Sequence, residues 1–220
     1  MVKVLFICHG NICRSPMAEY LLKEMVRQQG LAAQFQIASA ATSREEIGND
    51  VYPPARAELR AHGVPVGHRA AVQVTPRDYD DYDWLLTMDE NNARNLRRIL
   101  PHDPDGKIRA LLSFAGLQRG IADPWYTGDF GTTYDDLVLG CTAFLDALRR
   151  RGDFAGAGSA VHAVNDPAVA VAAFRKRLSL RFARAFAAAV VFRRNGTELK
   201  RRELRDFFGC FWSRHGSLRQ

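Results

Sequence analysis

Apolar residues along the chain fall into two alternating patterns. Short apolar runs, typical of strands buried on both faces of a parallel sheet, occupy residues 2–7, 35–38, 82–88 and 107–114. Apolar residues at helical spacing predict helices at residues 16–29, 55–61, 90–100 and 132–151. Strands that alternate with helices predict a parallel sheet covered by helices on both faces, with right-handed crossovers. We therefore expect an α/β fold, a three-layer α/β/α domain around a four-stranded parallel sheet.

Residue types that favour the first or last positions of helices mark several predicted helix ends. Ser15 is a favourable N-cap, and Pro16 suits the first helical position after it. Asp89 is the N-cap expected before the third helix. Gly152 ends the last helix, after three arginines that suit its negative end. Glycines and prolines between residues 39 and 54 predict a loop.

The C-terminal part of the chain differs from the rest in charge. Residues 1–150 contain 17 Lys and Arg against 19 Asp and Glu, whereas residues 151–220 contain 14 against 5. The excess of positive charge therefore belongs to the C-terminal part alone. We predict one domain at residues 1–152, a Gly/Ala-rich linker at 153–166 and a basic, helical extension at 167–220.

This charge distribution bears on the partners of each part. No nucleic-acid partner is expected for the first domain. The amphipathic pattern of the extension favours a helical hairpin that docks on the domain or on a second protein chain. An anionic membrane surface or nucleic acid remains an alternative partner for it, as does a stretch without selected function.

Cysteine usage and hydropathy indicate the compartment. The four cysteines have no regular spacing, so they do not suggest a disulfide framework. The first apolar run is too short for a signal peptide, and no run approaches the length of a membrane span. We expect a cytoplasmic protein with reduced thiols.

The most informative stretch follows the first predicted strand. It consists of Cys8, His9, Gly10, Asn11, Ile12, Cys13, Arg14 and Ser15. A cysteine, five residues and an arginine form a loop long enough to surround one phosphate, with backbone N–H groups and a helix N-terminus directed inward. Glycine and asparagine tolerate the left-handed backbone that such a loop needs, and the arginine fork grips two phosphate oxygens. In parallel sheets ligands bind at this end of the strands.

A cysteine at the mouth of a phosphate loop suggests nucleophilic chemistry. The thiolate is the reactive form, and a free cysteine with a pKa of about 8.5 is mostly protonated at neutral pH. The groups that bind phosphate also stabilise a thiolate, so the loop would activate Cys8. A buried cysteine before an ordinary turn is the alternative. The preceding strand and the following helix start favour the phosphate site.

Residues 4–16, VLFICHGNICRSP, closely resemble the low-molecular-weight protein tyrosine phosphatases. The resemblance covers about residues 2–150 and continues through SAATS at 39–43, EIGN at 46–49, RAHG at 60–63, His68, MDE at 88–90 and DPWY at 123–126. It implies a metal-independent hydrolase without a cofactor, which acts on phosphotyrosine in proteins through a phosphocysteine intermediate. The fold that it implies is a four-stranded parallel sheet with flanking helices.

The resemblance also implies the roles of individual residues. Cys8 would attack phosphorus, Arg14 and the loop amides would bind the phosphoryl oxygens, and Asp123 would serve as general acid and base. Pro124 is expected to keep the segment after Asp123 out of a helix. Side chains that would hold the loop in shape are Asn11, Ser15, Ser39 and His68. The Ser15 hydroxyl would also bond to the Cys8 thiolate, and Cys13 would trap oxidised Cys8 as a disulfide.

The cleft entrance carries the residues expected to affect substrate choice. Trp125 and Tyr126 would wall the cleft, with packing against the core as the alternative. Glu45 stands where many family members have an aromatic residue, and its carboxylate would favour substrates with basic flanks. His9 faces the cleft in the resemblance, where its positive charge below pH about 6.5 would tune phosphate affinity.

Two other functions share this loop. Arsenate reductases of the same fold need two further cysteines, and residues 70–110 contain none. A non-catalytic phosphopeptide-binding module is the second alternative. It is disfavoured because Cys8, Arg14 and Asp123 are all present.

Overall fold

The computed structural model describes residues 1–154, which lie within one compact unit, Met1–Gly158. Its sheet consists of β1 (Val2–Cys8), β2 (Phe35–Ala41), β3 (Trp84–Thr87) and β4 (Ile108–Ala110). The strand order is β2-β1-β3-β4, and every pair is parallel. The predicted α/β fold with a four-stranded parallel sheet is confirmed.

The interior position of β1 in the sheet explains its sequence, which is apolar except at Lys3. Val4 and Phe6 pack into one core cluster, while Leu5 and Ile7 pack into another on the opposite face. Successive side chains of a strand point to opposite faces, so a strand covered on both sides needs apolar residues at the buried positions of both faces.

Helices cover both faces of this sheet. The larger core cluster contains residues of α1 (Arg14–Gln28), α2 (Pro53–Ala61) and α6 (Phe130–Arg151). The smaller cluster contains residues of α3 (Arg77–Asp81) and α4 (Glu90–Leu96). The short helix α5 (Pro124–Thr127) and the 3₁₀ turns Ala32–Gln34 and Leu111–Ala115 complete the described elements.

Three helices begin earlier than predicted, among them α6, which begins at Phe130 and not at residue 132. Helix α1 begins at Arg14, so Ser15 lies inside it and its hydroxyl contacts Cys8 instead of capping the helix. Helix α2 begins at Pro53, within the stretch predicted as loop. Proline suits a first helical turn, because its fixed φ is helical and the N–H that it lacks would be unpaired there.

The fourth strand is shorter than the apolar run that predicts it. Only Ile108–Ala110 pairs with β3, and the chain then enters the 3₁₀ turn at Leu111. Leu111 is buried against α6, where a Cβ on Gly140 would lie 2.6 Å from its Cγ. The run is therefore a short edge strand followed by a turn that packs against the same helix. Strand β3 and helix α4 are likewise shorter than the predicted 82–88 and 90–100.

The domain continues two residues past the predicted boundary at 152. The ring of Phe154 packs against Phe35 with centroids 5.1 Å apart. The rest of the predicted linker, the basic extension at 167–220 and its partners lie outside the described residues. Within residues 1–154, no helix combines the length and apolarity needed to cross a membrane.

Candidate active site

The phosphate loop connects the end of β1 to the start of α1. Asn11 has a φ of 59° and is the only non-glycine residue with positive φ between residues 1 and 154. This conformation directs its backbone N–H to the sulfur of Cys8, at 3.2 Å. Asparagine is one of the few residue types that adopt it readily. The loop therefore bends around Cys8 as the sequence predicts.

Buried side chains beneath the loop form a hydrogen-bonded network with Cys8. The Asn11 amide nitrogen donates to the hydroxyl oxygens of Ser15 and Ser39, at 2.8 Å each. The Ser15 oxygen lies 3.0 Å from Cys8 Sγ, and the Ser39 hydroxyl donates to Glu19 at 2.6 Å. The structure thus brings together three of the four predicted support residues.

His68, the fourth predicted support residue, lies elsewhere. Its side chain is 95% exposed and pairs with Asp50 at 2.8 Å. The prediction that the His68 side chain helps to hold the loop is therefore wrong, because this side chain contacts Asp50 and not the loop. The neighbouring side chain of Arg69 contacts the loop instead, through the carbonyl and the side-chain oxygen of Asn11. The sequence alone does not show which of two adjacent residues in an irregular segment turns its side chain toward the loop.

Arg14 links the phosphate loop to two carboxylates. Its guanidinium, only 3% exposed, donates to Asp89, to Asp123 and to the carbonyl of Ile121. Burial lowers the pKa of Arg14, but Cys8 and the two carboxylates outweigh that effect and raise it above its ordinary value. The arginine is therefore held as a cation, at the start of the helix that follows the loop.

Asp89 is a site residue that the sequence reveals only as a helix cap. One carboxylate oxygen caps α4 by accepting the N–H of Asn92 at 2.7 Å, and the other accepts from Arg14. Its position two residues after the end of β3 was a signal, because β3 neighbours β1 and both strands end at the same edge of the sheet.

Asp123 reaches the site from the N-terminus of α5. One carboxylate oxygen accepts the N–H of Trp125 at 3.1 Å as an N-cap, and the other binds Arg14. The expectation that Pro124 keeps this segment out of a helix is wrong, because Pro124 is the first residue of α5. A proline at that position lacks only an N–H that would be unpaired.

Aromatic side chains border one side of the cleft. Trp125 is 55% exposed, and its ring lies 5.1 Å from that of Tyr52. The two rings and Ile12 of the loop line a cavity of about 680 Å³. Tyr126 is 85% exposed and therefore does not pack against the core. Tyr52 was not predicted from the sequence, where it appears as an isolated aromatic before two prolines.

On another side of the loop, His9 and Glu45 meet. The Nε2 atom of His9 lies 2.9 Å from a carboxylate oxygen of Glu45. The side chain of Glu46 packs against the loop next to this pair, because a Cβ on Gly10 would lie 3.0 Å from the Glu46 Cγ. The two residues that the sequence places separately at the cleft thus form one ion pair when His9 is protonated.

Comparison with known proteins agrees with this geometry. The family model for low molecular weight phosphotyrosine protein phosphatases matches residues 3–154. The human low molecular weight phosphotyrosine protein phosphatase is 40% identical over 148 residues, which cover 65% of this chain and 93% of the human protein. The crystal structure of YfkJ from Bacillus subtilis has a TM-score of 0.66 at 32% identity, covering 69% of this chain and 97% of that one. Wzb from Vibrio vulnificus, in complex with benzylphosphonate, has a TM-score of 0.59 at 27% identity and covers 67% of this chain and 99% of that one.

The chain belongs to the low molecular weight phosphotyrosine protein phosphatase family. It is a protein tyrosine phosphatase, and the predicted activity and hydrolase class are confirmed. The arsenate reductase and binding-module alternatives are therefore set aside.

The phosphatase has a second cysteine in its loop. Cys13 is buried, and burial, followed by its proximity to Cys8, raises the pKa of its thiol to about 12. Cys13 is therefore a thiol at neutral pH. Among residues 1–154 of the phosphatase, no group of three or more His, Cys, Asp and Glu side chains is arranged to hold a metal ion.

Proposed function

We propose that this phosphatase hydrolyses phosphotyrosine in proteins, with Cys8 as nucleophile, Arg14 and the loop amides as phosphate ligands, and Asp123 as proton donor. The observation that carries the proposal is the position of Arg14, which begins the helix after the Cys8 loop and contacts Asp123. This contact supports the assignment of the phosphate ligand and the proton donor to one site beside Cys8.

The first step transfers the phosphoryl group to sulfur. The Cys8 thiolate attacks phosphorus, the P–S bond forms, and the bond from phosphorus to the phenolic oxygen breaks. Asp123 gives its proton to the leaving oxygen. The loop N–H groups and Arg14 stabilise the charge on the three equatorial oxygens.

The second step restores the enzyme. Asp123, now a carboxylate, takes a proton from a water molecule that attacks phosphorus, and the P–S bond breaks. The sulfur leaves as a thiolate, which the Ser15 hydroxyl at 3.0 Å and the Asn11 N–H at 3.2 Å stabilise. Both groups already lie within hydrogen-bond distance of Cys8 Sγ before substrate arrives, so they do not need to move to stabilise the thiolate.

Arg14 has to exchange partners when substrate binds. In the structure its donors are taken by Asp89, Asp123 and a carbonyl. We infer that phosphoryl oxygens displace Asp123 and that Asp89 keeps the guanidinium in orientation. The released Asp123 then lies beside the leaving-group oxygen, where it can donate its proton.

The cleft fits an aromatic phosphate ester. Tyr52, Trp125 and Ile12 provide apolar surface beside the phosphate loop, and aryl rings pack well against such walls. The complex of Wzb with benzylphosphonate, an arylmethyl phosphonate, supports this choice. Glu45 beside His9 supports the proposal that basic flanking residues are preferred at pH values where His9 is neutral. The need for a reduced thiol at Cys8 supports a cytoplasmic location.

We further propose that Cys13 protects Cys8 from irreversible oxidation. A peroxide converts the Cys8 thiolate to a sulfenic acid, the Cys13 sulfur attacks it, and water leaves as the disulfide forms. Support comes from the position of both cysteines in one buried loop. Mass spectrometry after peroxide treatment would detect the loss of two hydrogens in the peptide that carries both cysteines.

The direct test is hydrolysis of para-nitrophenyl phosphate and of a phosphotyrosine peptide by the full chain, with and without EDTA. We expect activity that survives EDTA and disappears in Cys8→Ser. Acid quenching during turnover should trap phosphate on the wild-type protein and none on Cys8→Ser. Phosphate trapped equally on both proteins would assign the intermediate to another residue.

A further inference from the structure

Arg69 occupies a position beneath the phosphate loop that the reaction just described does not use. Its side chain is 13% exposed. Its Nη1 donates to the Asn11 carbonyl at 2.9 Å, and its Nη2 donates to Asn11 Oδ1 at 2.7 Å and to the Ser39 carbonyl at 3.2 Å. Its Nε lies 3.8 Å from Glu19. One guanidinium therefore contacts the backbone and the side chain of the same loop residue.

The contact with Oδ1 fixes which way the Asn11 amide faces. Oδ1 accepts from Arg69 and from the backbone N–H of Val72 at 3.2 Å, and both of these groups are donors only. The NH₂ end must therefore face the opposite side, toward the hydroxyl oxygens of Ser15 and Ser39. A flipped amide would place its NH₂ group against two donors.

The amide orientation in turn sets the direction of the Ser15 hydroxyl. Because the Ser15 oxygen accepts from Asn11, its proton is free to point to Cys8 Sγ, 3.0 Å away. Ser39 does not compete for that sulfur, since its hydroxyl donates to Glu19 at 2.6 Å. The donors thus run in one direction, from Arg69 through the Asn11 amide and the Ser15 hydroxyl to the sulfur.

The contact with the Asn11 carbonyl acts on the second donor to the sulfur. It holds the residue whose φ of 59° directs its own N–H to Cys8. Asparagine adopts a positive φ more readily than other non-glycine residues, and the hydrogen bond to its carbonyl holds it in that conformation. Both donors that reach Cys8 in the free enzyme therefore depend on the same guanidinium.

We propose that Arg69 is a positioning residue for the reaction of Cys8, which orients the Asn11 N–H and the Ser15 hydroxyl toward the thiolate. The proposal rests on the proposed role of Cys8 as nucleophile. This role requires an arginine, because the planar guanidinium reaches the Asn11 carbonyl, Asn11 Oδ1 and the Ser39 carbonyl at once and a lysine ammonium does not.

The test measures the rate at which iodoacetamide alkylates Cys8 as a function of pH, in the full chain. Cys8 and Cys13 fall in the same tryptic peptide, residues 4–14, so fragmentation must locate the modification. The variants are Arg69→Met and Arg69→Lys. Arg56→Met is the matched control, because Arg56 is equally buried, at 14% exposure, and pairs with Asp50 and not with the loop.

We expect the pH of half-maximal alkylation to rise by about one unit in Arg69→Met, a tenfold loss of thiolate at a fixed pH. The kcat for para-nitrophenyl phosphate should fall about tenfold with it, because the leaving thiolate is also less stabilised. Arg69→Lys should lie between Arg69→Met and the wild type. Arg56→Met should lower the melting temperature and leave the alkylation profile unchanged.

An alkylation profile and a kcat like those of the wild type in folded Arg69→Met would overturn the proposal. If circular dichroism shows that Arg69→Met does not fold, the alkylation profile of Arg69→Lys decides. A profile like that of the wild type would overturn the need for the guanidinium fork, and a profile shifted to higher pH would support it. Activity that survives complete alkylation of Cys8 would overturn the proposed function itself, and with it the reaction that Arg69 serves.

Discussion

Gly120 lies directly against Asp89: a Cβ built on Gly120 would come 2.8 Å from the Cβ of Asp89 and 3.1 Å from its Cα. The segment that carries Asp123 approaches the end of β3 this closely because the N–H of Ile121 donates to the carbonyl of Met88 at 2.8 Å. The glycine thus permits the approach that brings both carboxylates to Arg14.

Gly120→Ala should therefore lower activity by displacing Asp89 or the segment after it. We expect kcat/KM for para-nitrophenyl phosphate to fall about 10–10²-fold, since small misplacements of catalytic groups have effects of this size. Gly131→Ala is the control, because its Cβ would meet atoms only at 3.6 Å and beyond. Equal activity of the two variants would show that the segment adjusts without moving Asp89.

Asp123→Ala should separate catalysis from phosphate binding. We expect kcat to fall about 10²–10⁴-fold, because a proton donor is lost. The inhibition constant for inorganic phosphate should fall as well, since Asp123 and phosphate compete for Arg14 in the free enzyme. Asp123→Asn, which keeps a hydrogen-bond acceptor, should bind phosphate with an affinity between those of the wild type and Asp123→Ala. Weaker phosphate binding by Asp123→Ala would contradict the proposed exchange of partners at Arg14.

The two loop cysteines should differ in reactivity at neutral pH. The pKa of about 12 for Cys13, against an ordinary 9.0, reduces its thiolate fraction about 10³-fold. Iodoacetamide at pH 7 should therefore modify Cys8 and leave Cys13 intact in the folded protein, as measured by fragmentation of the peptide. Unfolded protein, the control, should be modified at both positions. Modification of Cys13 at a rate comparable to Cys8 in the native state would refute the assignment.

Asp50 should contribute to stability in a pH-dependent way. The N–H of Val51, followed by His68 and the N–H of Arg69, lowers its pKa from 3.8 to about 2. A lowered pKa means that the stabilisation is complete above the ordinary value and is lost as pH falls from about 4 to about 2. Asp50→Asn should therefore be less stable than the wild type at neutral pH. The difference between their urea midpoints should become smaller as the pH falls from about 4 to about 2. Asp80→Asn, at an exposed carboxylate, is the control and should show no such narrowing.

The sequence was most informative where local rules suffice. The apolar run through Val4 and Phe6 predicts the buried strand that the structure contains. The glycine and asparagine of the loop, with the resemblance around Asp123, point to the residues that lie together in the site. Asp89 and Arg69 were missed because their roles depend on tertiary proximity between segments far apart in the chain. His68 was misplaced for the same reason, since neither periodicity nor spacing indicates which of two adjacent polar side chains turns inward.

The strand that leads to the nucleophile lies inside the sheet, bonded to β2 on one side and β3 on the other. Within residues 1–154, the segment that carries Asp123 is joined to the end of β3 by one backbone bond, from the N–H of Ile121 to the carbonyl of Met88, and otherwise by side-chain contacts such as that with Arg14. Amide hydrogens of residues 4–8 should therefore exchange only through global unfolding, whereas those of residues 121–127 should exchange through a local opening of lower free energy. In that opened state the phosphate loop remains formed, but Asp123, the proposed acid, is displaced from it. Mild urea should consequently abolish turnover before it weakens phosphate binding or unfolds the sheet.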